Sequence, residues 1–151
     1  MRPISIIFFL PVLIFFLSGS TAAVEETTPV ASGTTLTGVF KLISVSRDSS
    51  VAEIDTDFAT VVHSGTVPVL IHFSAVWAAP CKAMHPVLIE TAKRFGKRAL
   101  IGTVDIEESP EIGQMYSVYS VPTFLVLVNG RETSRHVGMM SLKKLTGLVE
   151  N

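Results

Sequence analysis

The sequence predicts an α/β domain with a mixed central sheet of about five strands and helices on both faces. Three observations lead there. Apolar runs of strand length alternate with stretches in which apolar residues recur every three or four positions. One run, Val67 to Phe73, lacks polar alternation apart from His72, as a strand buried on both faces of a parallel sheet does. An Asn129-Gly130 pair between two strand-like runs signals an antiparallel hairpin near the end of the chain.

The start of the chain reads as a targeting signal. Arg2 precedes an apolar run from Ile4 to Leu17, and small residues from Ser18 to Ala23 follow. This is the layout of a secretory signal peptide, residues 1–22, cleaved near Ala22 or Ala23. The run is about 14 residues, short of the roughly 20 that span a bilayer, so a membrane is a partner only if the segment stays uncleaved. The expected location is the secretory pathway or the extracellular space. A bipartite signal that leads onward to an organelle lumen is compatible with the same layout. Residues 23–50 form a Ser/Thr-rich extension whose one apolar island, Val39 to Val45, is a candidate extra strand.

The domain is assigned to residues 51–151. Val51 to Ile54 reads as a short strand, and Asp55 or Thr56 as the cap of a helix carrying Phe58, Val61 and Val62 on one face, ended by Gly65. After the Val67–Phe73 strand, a helix from Pro80 to about Phe95 spaces Met84, Val87, Leu88, Thr91 and Phe95 along one side, with Pro86 bending it. Ala99 to Val104 is the next strand and Pro110 to Tyr116 a short helix. Thr123 to Val128 and Glu132 to Val137 make the hairpin. Ser141 caps a last helix with Leu142, Leu145 and Leu148 on one face.

Composition excludes several classes of function. Removing the signal segment leaves 11 of the 12 basic residues against 13 acidic ones, a net charge near −2, which is no signature of nucleic-acid binding. His63 and His136 have no ligand-like companions, so neither a metal nor another cofactor is expected. The single cysteine, Cys81, has no partner for an internal disulfide. It is a free thiol, an intermolecular partner or a buried apolar filler. Pro80 suits a first helical turn, and a thiol there lies near unpaired N–H groups that favour an anion, so the local pattern offers a thiolate site. His85, four residues on, is a candidate base by spacing alone.

Trp77-Ala78-Ala79-Pro80-Cys81-Lys82 resembles the active-site signature of the thioredoxin family, in which Trp, Cys, Gly, Pro, Cys and Lys follow one another. The resemblance covers about a hundred residues. It takes in the preceding apolar strand, Pro86, Val121-Pro122-Thr123, Asn129-Gly130 and Val137-Gly138, and implies the thioredoxin fold. Ala78 stands where the family has its attacking cysteine, and Cys81 matches the second, resolving one. By the same resemblance His72 occupies the place of a buried acid behind the second cysteine, Thr103 that acid's partner lysine, and His85 the exposed side of the helix. Pro122 would follow a cis peptide bond. Trp77, Ala79, Pro80, Val121, Pro122, Val137 and Gly138 would form an apolar surface for extended substrate.

Dithiol exchange needs one sulfur to attack and a second to break the mixed disulfide. Without a cysteine at position 78 this chain alone has no such turnover. Two readings of Cys81 stand: a single reactive thiol, or a shielded remnant. His72 is a proton acceptor for Cys81 or a core histidine. The expected function is a secretory-pathway thioredoxin-like protein that binds extended or unfolded polypeptides through the active-site surface. The alternatives are a thiol oxidoreductase using Cys81 with a thiol protein or glutathione, and an ordinary thioredoxin whose first cysteine was replaced at Ala78.

Overall fold

The computed structural model describes residues 37–46, 50–63, 65 and 67–151. The expected signal segment, residues 1–22, and the expected extension up to residue 36 lie outside the described residues. Six strands and four helices follow in the order β1 (Val39–Val45), β2 (Val51–Asp57), α1 (Phe58–Val62), β3 (Val69–Ser74), α2 (Ala79–Phe95), β4 (Leu100–Asp105), α3 (Pro110–Met115), β5 (Thr123–Val128), β6 (Arg131–Val137) and α4 (Leu142–Glu150). A 3₁₀ turn, Gly96–Arg98, links α2 to β4. Among the described residues no helix is long and apolar enough to cross a membrane.

The strands form one mixed sheet in the order β2-β1-β4-β3-β5-β6. Only β3 and β4 pair in parallel; the other four pairings are antiparallel. The period-two alternation of the central strands sorts their side chains between two helical layers. Leu70, Ile101, Phe124 and Val126 pack with Met84, Leu88, Ala92 and Phe95 of α2 and with Leu145 and Val149 of α4. Val69, Ile71, Phe73, Leu125 and Leu127 face Phe58, Val61 and Val62 of α1 and Ile112 of α3. Helices therefore cover both faces, which explains why β3 carries no alternation of polar residues.

Element boundaries moved where capping decided them. The strand expected over Val51–Ile54 runs on to Asp57, and neither Asp55 nor Thr56 caps α1. Asp57 does, accepting the Thr60 N–H at 2.9 Å through its carboxylate. Ser141 caps α4 as its sequence position indicated, accepting from Lys144 N–H. On α4 the buried positions are Leu145 and Val149, while Leu142 and Leu148 are half-buried. Asn129 and Gly130 turn the hairpin, both with positive φ, and β5 and β6 pair from Thr123↔Val137 to Val128↔Arg131.

The sixth strand is the apolar island of the extension. β1 lies between β2 and β4, paired to β4 through Lys41↔Thr103 and Leu42↔Gly102. Its Phe40 is fully buried. Gly102 makes the approach possible: a Cβ built there would overlap the Lys41 carbonyl oxygen and lie 2.6 Å from the Phe40 ring.

Candidate functional site

β3 ends at Ser74 and α2 begins at Ala79; the loop between them and the first turn of α2 carry the site. Ala78 N–H donates to the Ala75 carbonyl at 3.0 Å, and the Ala78 carbonyl accepts from Cys81 N–H at 3.0 Å and Lys82 N–H at 3.3 Å. Ala78 is thus the extended residue that opens α2, with Pro80 in its first turn. Trp77, ahead of this turn, projects outward at 68 % exposure, and its indole N–H donates to Glu107 Oε1 at 3.2 Å. Ala79 and Pro80 are also exposed.

Cys81 points inward and is 5 % exposed. It clusters with Ala75 and Ala78 beneath Ile106 and Val121. The start of α2 offers a thiolate site, and the surroundings of Cys81 in the fold oppose one. A backbone hydrogen bond from Ala75 does favour the anion. Burial outweighs it, and the nearby Asp105 carboxylate adds to the opposition, so the thiol titrates above its ordinary value. Asp105, at the end of β4, was not singled out from the sequence; its carboxylate accepts the Glu107 N–H at 2.8 Å.

His72 belongs to a single row across the sheet. Lys41 pairs with Thr103, Thr103 with His72, and His72 with Phe124. The imidazole is 2 % exposed, stacks on the Phe124 ring at 4.9 Å between centroids, and shares a 3.4 Å hydrogen bond between Nδ1 and Thr103 Oγ1. Among the described residues Nε2 has no partner, and none of the hydrogen bonds there joins His72 to the Cys81 sulfur. Burial, reinforced by the neighbouring His85, lowers its pKa from 6.5 to about 4. As pH falls from 6.5 towards 4, the unfolded chain takes up a proton that the folded one refuses. His72 should therefore cost the fold about 3 kcal/mol by pH 4. In urea titrations between pH 7 and pH 4, wild type should lose about 3 kcal/mol more stability than His72→Phe does; parallel curves would refute this.

His85 does not turn to Cys81. Its Nδ1 faces Glu53 Oε1 of β2 at 3.5 Å, half exposed. Among the described residues no group of three or more His, Cys, Asp or Glu side chains is placed to hold a metal ion.

The Val121–Pro122 bond is cis, but Pro122, expected on the exposed substrate surface, is buried and Val121 is half-buried. The Pro122 carbonyl accepts the Gly138 N–H at 2.8 Å, which fixes the end of β6 beside the α2 entrance. Val137 is exposed, as are Val76 and Met139, two residues the sequence did not single out although each adjoins one that it did. Tyr119, in the loop before Pro122, is 92 % exposed. The result is an apolar outer rim around a buried thiol.

A sequence model of the Thioredoxin family matches residues 49–151. Thioredoxin of Mycobacterium tuberculosis is 32 % identical over 109 residues, covering 70 % of this chain and 94 % of that protein. Thioredoxin of Haemophilus influenzae is 32 % identical over 95 residues, 63 % of this chain and 89 % of its own length. Among solved structures, oxidised mitochondrial thioredoxin 3 from Saccharomyces cerevisiae superposes with a TM-score of 0.56 at 24 % identity, covering 62 % of this chain and 87 % of that one, a likeness of fold.

Proposed function

Since this chain belongs to the thioredoxin family, we propose that it is a secretory-pathway binding module that holds extended or unfolded polypeptides on the family's active-site surface without dithiol turnover. The observation that carries this reading is the contrast at the site: Cys81 is buried and its thiol is held protonated, while Trp77, Val76, Val137 and Met139 stay exposed beside the cis Val121–Pro122 bond. Exposed aromatic and aliphatic groups gathered at one end of a domain are where binding energy concentrates. A single-thiol oxidoreductase needs the opposite arrangement, an accessible thiol with a lowered pKa.

Trp77→Ala is expected to weaken capture of a reduced, carboxymethylated polypeptide about 10-fold, a loss near 1.4 kcal/mol. Cys81→Ser should bind as wild type. Anisotropy titrations with a labelled, permanently unfolded chain distinguish the two. Loss of capture in Cys81→Ser with retention in Trp77→Ala would transfer the function to the thiol.

A further inference from the structure

The N-terminal half of α2, the loop after β6 and the first turn of α4 frame a cleft of about 410 Å³. Ala83, Met84 and Val87 of α2 line it together with Met139, Met140 and Lys144. Met84 and Met140 are buried and Met139 is exposed. Methionine has three rotatable bonds and a polarizable sulfur, so a surface built from it repacks around apolar side chains of different shape. Met139 also belongs to the exposed rim beside Val137, and through it the cleft continues the surface on which polypeptide is proposed to lie.

The charge of this cleft is one-sided. Neither the stretch from Phe58 to Ile89, which holds the α2 wall, nor that from Thr133 to Val149, which holds the other, contains an aspartate or a glutamate. The same two walls carry Lys82, Lys143 and Lys144, all exposed. Among the described residues none of these three lysines pairs with a carboxylate, whereas Lys41 meets Glu108 at 3.3 Å and Lys93 meets Glu90 at 3.2 Å. An apolar trough edged by unmatched cations complements a segment that is apolar and acidic together.

We infer that this cleft selects the client: an apolar side chain of an extended polypeptide enters among the methionines, and a carboxylate of the same segment pairs with Lys144. The inference rests on the polypeptide-binding reading and gives the bound segment its chemistry. Side chains of an extended chain return to one face every second residue, roughly 6.7 Å apart, which places the carboxylate two positions from the apolar residue.

The test uses the full chain and three labelled, unfolded peptides that share a central leucine. Two positions to each side of it they carry glutamate, glutamine or lysine. In anisotropy titrations at low salt the glutamate peptide should bind wild type about 5-fold more tightly than the glutamine peptide, the upper end of what an exposed ion pair contributes, and the lysine peptide should bind most weakly. Added salt should shrink the difference by screening. Lys144→Glu should invert the order; glutamate in a first turn suits the helix dipole, so the variant keeps α4. Wild type gives a second readout that needs no substitution. With methyl-labelled methionine, the glutamate peptide should move the Met84, Met139 and Met140 resonances and leave that of Met115, on α3, in place.

Equal affinity of wild type for the glutamate and glutamine peptides, or an order that survives in Lys144→Glu, would overturn the inference and leave polypeptide binding standing on the Trp77→Ala result. If none of the peptides binds, both readings fall. If the Met139 and Met140 resonances move with protein concentration alone, a second copy of the chain covers the cleft and the inference falls by itself.

Discussion

Ala78→Cys is expected to turn a chain without dithiol turnover into one that reduces insulin disulfides, at least ~10-fold above the wild-type background. Position 78 opens α2, so a sulfur there meets the unpaired N–H groups of the first turn, which favour a thiolate. Ala78 already packs against Cys81 and Ala75 in one small cluster, which brings the two sulfurs together. The second half of the cycle has no such help, because Cys81 must lose a proton in a buried setting and His72 makes no hydrogen bond to it. Restoring an acid at that place, in the double variant Ala78→Cys/His72→Asp, should therefore raise turnover by a further ~10-fold or more. A folded Ala78→Cys protein that leaves insulin intact would show that His72 and Thr103, or the docking surface, have diverged too far for turnover.

Gly102→Ala should have the largest effect on stability, about 3 kcal/mol, seen as a Tm lowered by roughly 10 °C. The added methyl meets a backbone oxygen, that of Lys41, and the ring of the fully buried Phe40. Neither can move without separating β1 from β4. Gly147→Ala is the matched control. It adds the same methyl inside α4, where nothing lies within 4 Å, and should stabilise by about 0.5–1 kcal/mol. Equal Tm values for the two variants would show that β1 does not dock on β4 in solution.

Much of the fold was legible because its signals are local. The unalternating run of β3, the three-and-four spacing of α2 and the Asn129-Gly130 turn each report on neighbours in sequence. The cap of α1 was harder to place, since Asp55, Thr56 and Asp57 are all capping residues and only the length of β2 selects the last. The slot taken by β1 was not legible, because its partner Gly102 lies some sixty residues away and a bare glycine gives no sign of what it accommodates. At the site, the sequence left Cys81 open between a reactive thiol and a shielded remnant. The start of α2 speaks for an anion, whereas the burial that defeats it comes from Ile106 and Val121, brought in from other parts of the chain. The match of His72 with Thr103 was visible as two changed positions, yet their contact across β3 and β4 is a property of register.

The position of β1 has a bearing on where this protein can be cut. The family match begins at residue 49, after β1 has ended. A fragment trimmed to that match would leave β2 with no ladder partner and open the flank of β4 to solvent. An unprotected strand flank recruits other chains. Such a fragment would keep the family's full sequence signature yet self-associate. On this chain the evolutionary boundary and the folding boundary are two different places.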